Sequence, residues 1–287
     1  MEERKEIALV TGASSGIGRE TAIRLAKKGF QVIAAARRRK RLTELAEQVQ
    51  GITPRQVDLS DAEDVERFCR EISSLNKPVS VLVNNAGYSV RGAIEDVPIE
   101  SVKRIFEVNF FAMIRITQAC LPGMRGLRRG TIVNISSIAG KFTFPLSGVY
   151  ASTKHAIEAI TDALRIEVRP FGIKVVAIRP GVIATEFNDV GNQMAGDLLS
   201  RTDPDYLPLY QASGESLGKV FGGISIPGPD LIADVILKLV FSDAPKAVYS
   251  AGPLVEEFLG QRALLNDDEF DSYMAEKTGL MDLKPTP

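Results

Sequence analysis

Short apolar runs rich in β-branched residues alternate along this chain with longer segments of helical periodicity. Several of the runs are apolar almost throughout, as strands are when helices cover both faces of their sheet. Alternation of this kind is typical of βαβ units, so we predict an α/β fold whose parallel sheet has about seven strands and helices on both faces. The predicted strands span residues 6–11, 31–36, 53–58, 79–85, 130–136, 173–179 and 246–250.

The segments between the strands are predicted to be helices because they combine helical periodicity with capping residues. These helices span 16–29, 38–50, 61–75, 100–121, 150–170 and 228–241. No internal repeat or low-complexity linker separates them, so we expect one domain over residues 1–287. Cys69 and Cys120 fall within helical segments and are expected to be buried thiols, which favours a reducing compartment.

The alternation breaks at residues 186–228, where Gly, Pro, Ser and Asp interrupt any periodicity. A segment of this length inside a compact domain is usually functional. A disordered surface insert is the alternative, but recurrent apolar residues such as Phe187, Leu198 and Phe221 argue against it. We expect a partly helical segment that covers a substrate, and we call residues 186–228 the cover segment. A C-terminal helical extension is predicted at about 253–280.

The overall charge excludes some classes of protein. A formal net charge of −1 argues against a general binder of nucleic acids or other polyanions. No run approaches the roughly 18 apolar residues that a membrane span needs. The opening stretch MEERKEIALV lacks the apolar region of a signal peptide, so we expect a cytoplasmic protein without a membrane span.

A glycine turn follows the first predicted strand in TGASSGIGRE, with Gly12, Gly16 and Gly18 leading into a helix. The free N–H groups and dipole of a helix N-terminus favour an anion, and glycines let a pyrophosphate approach the backbone. The spacing is one residue longer than the usual dinucleotide fingerprint, so taken alone the motif also fits a simple tight turn. Its place between the first strand and the first helix favours a dinucleotide site.

Two tyrosine–lysine pairs have helical i, i+4 spacing, Tyr150 with Lys154 and Tyr273 with Lys277. The second pair lies beyond the last predicted strand, far from any glycine turn, and is interpreted as a solvated helix face. A nearby cation favours the phenolate and lowers the pKa of a tyrosine from about 10. We therefore expect Tyr150 and Lys154 to form a proton-transfer pair.

His155 is the only histidine, and it is turned about 100° from Lys154 around the helix. We expect it to be structural. With no second histidine and no cysteine cluster, the sequence predicts no metal site.

These motifs resemble those of the short-chain dehydrogenase/reductase family, and in layout the chain is nearest to its hydroxysteroid and retinol dehydrogenase-like members. The resemblance runs in unbroken order over about residues 5–190 and implies a single doubly wound Rossmann domain. The matching motifs are Thr-Gly-x-x-x-Gly-x-Gly at 11–18, Asn-Asn-Ala-Gly at 84–87, an asparagine at Asn109 in VNFFA, a serine in NISSIAG, Tyr-x-x-x-Lys at 150–154, and Pro-Gly at 180–181 followed by Thr185.

The resemblance implies a catalytic set of Asn109, Ser137, Tyr150 and Lys154. Tyr150 would act as general acid in reduction and general base in oxidation, and Lys154 would also hold the nicotinamide ribose. From the residues alone, Ser136 and Ser137 are both candidates for orienting the carbonyl, and the family's spacing to the tyrosine selects Ser137. Asn109 would position a water of a proton relay, and a structural role, in which the asparagine bonds an interrupted helix backbone, is compatible with that.

The second predicted strand ends in AAARRRKRL, with Ala36 at the position where an acidic residue would bind the ribose of NAD, and Arg37 next. Arginine can donate two parallel hydrogen bonds to a phosphate, so we predict NADP(H). Arg37, with Arg38 as a second candidate, is expected to bind the 2′-phosphate, and the run up to Arg41 to be otherwise solvated. A nucleic-acid or targeting patch is the alternative for this run, disfavoured by the near-neutral charge of the chain.

Further cofactor contacts follow from the resemblance, with Asp58 as a contact of the adenine. The complete set of expected contacts, beside the two arginines, is Gly12, Ser14, Ser15, Gly16, Ile17, Gly18, Asp58, Leu59, Asn85, Ala86, Gly87, Tyr150, Lys154, Pro180, Gly181 and Thr185.

The sequence thus predicts an NADP(H)-dependent oxidoreductase acting on a small-molecule carbonyl or secondary alcohol. The cover segment and the extension favour a bulky apolar substrate of steroid, retinoid or acyl-chain type over that of a 3-oxoacyl-type ketoreductase. A non-catalytic NADP sensor is an alternative, but it would not need the whole catalytic set. Membrane-surface binding through the C-terminal segment is disfavoured by the acidic cluster at 267–271. Apolar helices at 100–121 and 150–170 suggest a homodimer or homotetramer, as is common in the family.

Overall fold

The computed structural model describes residues 6–200, 202–281 and 283, without the side chains of residues 188, 190, 194, 217 and 219. The first five residues, part of the stretch where no signal peptide is expected, lie outside this range. Seven parallel strands form one sheet in the order β3-β2-β1-β4-β5-β6-β7, which confirms the predicted fold class. The strands are β1 Ile7–Thr11, β2 Gln31–Ala36, β3 Ile52–Gln56, β4 Val79–Asn84, β5 Gly130–Ile135, β6 Ile173–Pro180 and β7 Val248–Ala251.

Helices connect the strands and form both outer layers of the domain. In the described part of the chain they are α1 Gly16–Lys27, α2 Arg39–Gln48, α3 Ala62–Ser73, α4 Ile99–Phe106, α5 Ala112–Leu127, α6 Gly148–Glu167, α7 Phe187–Leu199, α8 Leu207–Phe221, α9 Asp230–Val240, α10 Val255–Leu264 and α11 Asp267–Lys277. None of the helices described is long and apolar enough to cross a membrane. Cys69 on α3 and Cys120 on α5 are free thiols, and Cys69 is only half-buried.

Two apolar layers enclose the sheet, one on each face. Within β1, Ala8 and Val10 face the layer with α1, α2 and α9, whereas Ile7 and Leu9 face the layer with α3, α5 and α6. Successive side chains of a strand point to opposite faces. Because both faces are covered, every residue of β1 is buried, and this explains the nearly continuous apolar runs in the sequence.

The helix predicted at 100–121 is instead two helices joined by a π-helical turn at Glu107–Phe111. It also continues to Leu127, with Pro122 inside it, and ends at Arg128, whose φ of 53° is left-handed. The prediction of one regular helix was wrong because apolar periodicity is insensitive to one extra residue in a turn. π-helical turns of this kind often occur at functional sites.

The cover segment contains α7, α8 and a short 3₁₀ turn at Pro204–Tyr206. Its helices are held to the loop after β4 by hydroxyl–carboxylate hydrogen bonds. Tyr210 donates to Asp96 at 2.8 Å and accepts from the N–H of Ala93 at 3.0 Å, and Tyr206 donates to Glu95 at 2.8 Å. The segment therefore packs against the loop between β4 and α4.

The C-terminal helices α10 and α11 pack on the loop after β5 through an aromatic cluster that includes Phe142, Phe258 and Phe270. The interpretation of Tyr273 and Lys277 as a solvated face was wrong for Tyr273. Its ring packs against this cluster and its hydroxyl donates to Glu257 at 3.0 Å, while Lys277 pairs with the same carboxylate at 2.7 Å. The pair thus joins α11 to α10.

Candidate active site

The carboxyl ends of β1, β4, β5 and β6 meet at one edge of the sheet. The strand order reverses between β1 and β4, since β1 lies between β2 and β4. Ligands of doubly wound sheets bind in the crevice at such a switch point. The glycine turn follows β1, the Asn-Asn-Ala-Gly segment ends β4, the serines follow β5, and Pro-Gly ends β6. The fold therefore brings the separate sequence motifs to one crevice.

The glycine turn is locked against the segment that ends β4. Gly12 has a φ of +67°, and a Cβ there would lie 2.7 Å from Nδ2 of Asn85. The same nitrogen would be 2.5 Å from a Cβ on Gly18, and it donates to the carbonyl oxygen of Thr11 at 2.9 Å. Oγ1 of Thr11 accepts from the N–H groups of Asn85 and Ala86 at 3.0 and 3.1 Å. Only glycine fits at residues 12 and 18, and the turn is held in one shape.

The N-terminus of α1 offers backbone N–H groups to an anion. Ser15 is the N-cap residue, but its side chain does not cap the helix. Its hydroxyl instead accepts a hydrogen bond from Arg38 at 2.6 Å. Because uncapped N–H groups and the helix dipole favour negative charge, this end of the crevice fits the pyrophosphate of a dinucleotide.

Tyr150 and Lys154 lie at the start of α6 and face the serines that follow β5. The Tyr150 hydroxyl is hydrogen-bonded by Ser137, whose Oγ also accepts the N–H of Ala139 at 3.1 Å. Nζ of Lys154 donates to the carbonyl oxygen of Ile135 at 2.7 Å and lies 5.7 Å from the centre of the Tyr150 ring. The i, i+4 spacing therefore places both side chains in one site.

The hydroxyl groups of Ser136 and Ser137 have different surroundings. The Ser136 hydroxyl is buried without a partner among the described residues, and it would be 2.7 Å from a Cβ on Gly140. Ser137 contacts Tyr150. Of the two hydroxyls left open by the sequence, the geometry places only that of Ser137 at the tyrosine.

The pKa values of Tyr150 and Lys154 differ from the expectation. Burial raises the pKa of Tyr150 to about 12, although the hydrogen bond from Ser137 lowers it. Burial also lowers the pKa of Lys154 to about 8, and the nearby Glu158 carboxylate opposes that shift. The expected lowering of the Tyr150 pKa was therefore wrong for the protein alone, because burial is the largest influence on it and raises it. Tyr150 is held as a neutral phenol, the form that donates a proton.

Asn109 lies in the π-helical turn and is almost fully buried. Its Oδ1 accepts the N–H of Tyr88 at 3.1 Å, and its Nδ2 donates to the Tyr88 carbonyl at 3.0 Å and to Thr153 Oγ1 at 3.2 Å. The side chain thus joins the loop after β4 to α6. None of these bonds goes to its own helix backbone, so the structural role expected for the side chain differs from the one observed among the described residues.

A buried polar layer beneath the site was not anticipated from the sequence. Asn84 donates to Thr117 at 3.0 Å and to Asn134 at 2.9 Å, and Asn134 donates to Thr161 at 2.9 Å. These bonds join β4 and β5 to α5 and α6. Polar residues at the ends of otherwise apolar strands were the available signal.

A buried ion pair between Glu158 and Arg179 was also missed. Arg179 Nε and Nη2 donate to the two carboxylate oxygens of Glu158 at 3.0 and 2.6 Å. Lys141 adds a weaker pairing at 3.7 Å. Glu158 lies one helical turn after Lys154, so the available signal was a second i, i+4 pair on the same face of α6.

The arginines after β2 lie at the far end of the crevice. Arg38 donates through Nε to Ser14 at 3.1 Å, through Nη2 to Ser15 at 2.6 Å and through Nη1 to Glu186 at 2.6 Å. Arg41 is exposed, as expected, and it also pairs with the same carboxylate at 2.7 Å. Its partner comes from a distant segment, which the local charge run could not indicate.

Asp58, Leu59 and Arg37 border the same end of the crevice. Oδ1 of Asp58 accepts from the backbone N–H and the hydroxyl of Ser60 at 2.9 and 2.8 Å. Burial raises the pKa of Asp58, but these hydrogen bonds and the charge of Arg37 outweigh it, so the pKa is lowered. Leu59 is buried beside it, and Arg37 is exposed.

The remaining predicted residues line the opposite side of the glycine turn. Thr185 packs on Gly16, where a Cβ would be 3.1 Å from its Cγ2. Gly181 allows the end of β6 to pass the segment after β7, since a Cβ there would lie 2.7 Å from Val255. Pro180 ends β6, Ile17 packs on the core from the first turn of α1, and Gly87 lies against Asn109. These predicted residues thus lie at the ends of β1, β4 and β6 or in the segments that follow those strands.

Comparison with known proteins shows which family this chain belongs to. Residues 6–195 match the family model described as short chain dehydrogenase, and the chain belongs to this family of oxidoreductases. It is 39% identical to the probable short-chain type dehydrogenase/reductase VdlC of Helicobacter pylori, over 63% of this chain and 66% of that protein. Identity to the 3-ketodihydrosphingosine reductase of Bacteroides thetaiotaomicron is 34% over 88% of this chain and 89% of the relative.

Solved structures show the same architecture. The chain superimposes on a variant of actinorhodin polyketide ketoreductase, solved with NADPH, with a TM-score of 0.74. Their sequences are 27% identical, over 88% of this chain and 97% of the other. A nicotinamide dinucleotide fits the crevice described above, because the glycine turn admits no side chain and the N-terminus of α1 is uncapped.

Proposed function

We propose that this protein is an NADP(H)-dependent reductase or dehydrogenase that interconverts a carbonyl and a secondary alcohol on a bulky apolar substrate. The observation that carries the proposal is the position of Lys154, whose Nζ lies 5.7 Å from the centre of the Tyr150 ring and donates to the carbonyl oxygen of Ile135, two residues before Ser137. The Ser137 hydroxyl also acts on Tyr150, because its hydrogen bond lowers the pKa of the phenol. This arrangement supplies a proton donor and an orienting hydroxyl at the carboxyl edge of the sheet, where the family binds its cofactor.

Bound NADP(H) supplies or accepts the hydride, and the protein supplies orientation and the proton. In reduction, Ser137 donates a hydrogen bond to the substrate carbonyl oxygen while Tyr150 gives that oxygen its phenolic proton. In oxidation, Tyr150 removes the alcohol proton. The Lys154 ammonium stabilises the phenolate formed on Tyr150 and binds the ribose hydroxyls. Asn109 holds the loop after β4 and the π-helical turn, where we place a water of the proton relay.

The choice of NADP(H) rests on charge at the end of β2. Ala36 offers no carboxylate to a ribose 2′-hydroxyl, and Arg37, Arg38 and Arg41 follow it. Guanidinium groups match a phosphate with parallel hydrogen bonds. The related actinorhodin polyketide ketoreductase was solved with NADPH, which supports the assignment.

The choice of substrate rests on the apolar wall beside Tyr150. The Tyr150 ring meets that of Phe187 edge-on with centroids 5.6 Å apart. Val90 and Leu198 belong to the same apolar cluster, which joins the loop after β4 to the cover segment. Similarity to a protein named 3-ketodihydrosphingosine reductase further supports a ketone substrate.

We also propose a cytoplasmic homodimer or homotetramer. The outer face of the segment before α5 exposes Phe111, whose ring meets that of Phe110 with centroids 5.4 Å apart. An exposed aromatic ring beside a second, half-buried one on a helical face is suited to burial between subunits. Size-exclusion chromatography with light scattering tests this part of the proposal, and a monomer at micromolar concentration would contradict it.

The activity is tested by NADPH consumption over a graded panel of carbonyls. The panel runs from short 3-oxoacyl esters through long-chain ketones to steroid and retinoid carbonyls. The proposal predicts turnover that increases with apolar bulk, and a preference for NADPH over NADH. Turnover of short polar substrates alone would contradict the substrate class. Tight NADPH binding without turnover on the whole panel would favour a cofactor sensor instead.

A further inference from the structure

Three consecutive residues, Thr185 and the first two residues of the cover segment, contact three different parts of the crevice. Thr185 packs on Gly16 of the glycine turn. The Glu186 carboxylate accepts hydrogen bonds from Arg38 and Arg41. The Phe187 ring meets that of Tyr150. A displacement of any one of these residues therefore affects the anion cradle, the arginines and the proton donor together.

The Glu186 carboxylate is arranged between two guanidinium groups. Its Oε2 accepts from Arg38 Nη1 at 2.6 Å and from Arg41 Nη1 at 2.8 Å, while Oε1 accepts from Arg41 Nη1 at 2.7 Å. Two guanidinium groups around one anion also form a favourable site for a phosphate monoester. All three side chains are more than 40% exposed, so these ion pairs exchange with solvent anions readily.

Each nitrogen of the Arg38 guanidinium already donates one hydrogen bond. Its Nε and Nη2 donate to Ser14 and Ser15 of the glycine turn, and its Nη1 donates to Glu186. The two serines hold Arg38 beside the pyrophosphate cradle, at the place proposed above for the 2′-phosphate, and they occupy its Nε–Nη2 edge. A phosphate that binds this guanidinium with two parallel hydrogen bonds along its other edge therefore competes with Glu186 for Nη1.

We propose that Glu186 is a specificity-determining residue that competes with the 2′-phosphate of NADP(H) for Arg38 and Arg41, so that the phosphorylated cofactor releases the start of α7. The inference rests on the proposed NADP(H) dependence. Glu186 lowers the affinity for NADP(H) and leaves that for NAD(H) unchanged, because only the phosphorylated cofactor has to displace it. Release of Glu186 moves Phe187, and so couples cofactor identity to the wall beside Tyr150.

The test measures dissociation constants of NADPH and NADH for the wild type, Glu186→Gln and Asp189→Asn. The protein has no tryptophan, so the emission of the reduced nicotinamide is followed directly. Glu186→Gln should bind NADPH about three- to tenfold more tightly, as expected when two exposed ion pairs no longer compete, and should bind NADH within about twofold of the wild type. Asp189 is the matched control. It is an exposed acid one turn further along, and the structure gives it no ion pair within the described residues.

Two results overturn the inference. One is an unchanged or weakened affinity of Glu186→Gln for NADPH, which would mean that the carboxylate orients the arginines. The other is an equal gain in Asp189→Asn, which would mean that net charge alone acts. If the wild type does not bind NADPH more tightly than NADH, the cofactor assignment is contradicted. Even then, a gain in affinity of Glu186→Gln for NADPH but not for NADH establishes that Glu186 competes with the 2′-phosphate.

Hydrogen exchange supplies a readout independent of affinity. In the wild type saturated with NADPH, amides at residues 186–192 should exchange faster than in the wild type saturated with NADH. In Glu186→Gln the two cofactors should give the same exchange there. Identical exchange with both cofactors in the wild type would overturn the proposed release of α7.

Discussion

Nζ of Lys154 donates a hydrogen bond of 2.7 Å to the carbonyl oxygen of Ile135, the last residue of β5. Ser137 follows two residues later, and Tyr150 lies one turn before Lys154 on α6. One hydrogen bond thus fixes the distance between the helix that carries the proton donor and the strand end that carries the orienting hydroxyl. A charged Lys154 makes this bond more strongly than a neutral one.

The pH dependence of reduction should report the ionisation of Lys154. Its pKa is lowered to about 8 by burial, so the ammonium is present below that pH and is lost above it. The phenol of Tyr150, with a pKa of about 12, stays protonated throughout this range. We therefore expect kcat/KM for reduction to be constant below about pH 7 and to fall through an apparent pKa near 8. A flat profile from pH 6 to 10 would contradict this assignment.

Glu158 should set the pH at which kcat/KM for reduction falls, the alkaline limb of the pH profile. Its carboxylate raises the pKa of Lys154 against the effect of burial, so Glu158→Gln should move the limb to lower pH. Asp162→Asn is the control, because Asp162 is an exposed acid on the same helix, paired with Arg165 at 2.8 Å. Equal limbs in the wild type and Glu158→Gln would show that Glu158 does not act on Lys154.

The same substitution should reduce stability. Glu158→Gln removes a buried carboxylate and leaves the guanidinium of Arg179, whose side chain is 16% exposed, without its partner; breaking a buried pair costs about 3–5 kcal/mol. Asp162→Asn should cost less than about 1 kcal/mol, because exposed ion pairs contribute little. Urea unfolding of both variants measures the difference. A loss below about 1 kcal/mol in Glu158→Gln would mean that the pair is not buried in solution.

The two serines after β5 should separate catalysis from packing. Ser137→Ala removes the hydroxyl that contacts Tyr150, and kcat should fall about 100-fold or more while the Kd for NADPH is unchanged. Ser136→Ala removes a buried hydroxyl that has no partner among the described residues, so activity should be retained and stability unchanged or increased. If Ser136→Ala lost activity and Ser137→Ala kept it, the roles assigned to the two residues would be reversed.

Most of the fold could be predicted from the sequence because its signals are local. Buried strands between helices show as apolar runs, and the glycine turn shows as residues that tolerate no side chain. The π-helical turn around Asn109 could not be predicted, since one extra residue barely changes apolar periodicity. The bonds of Glu186 to Arg38 and Arg41 join residues more than 140 positions apart, and no local pattern indicates such pairs.

The pKa of Tyr150 illustrates a different limit. Spacing correctly places Lys154 on the same helix face, but the sequence does not show how deeply the pair is buried. Burial opposes charge on both groups and is the largest influence on the pKa of each. The direction of a pKa shift therefore requires the packed structure, even where the participating residues are evident.

The most direct test of the account compares hydride transfer by the wild type and Tyr150→Phe on one long-chain ketone. NADPH binding to both proteins is measured in the same buffer. We predict that Tyr150→Phe binds NADPH with a Kd within about twofold of the wild type and transfers hydride at least about 100-fold more slowly, because general acid catalysis typically contributes that much. Equal rates in the two proteins would show that Tyr150 is not the proton donor and would contradict the proposed mechanism.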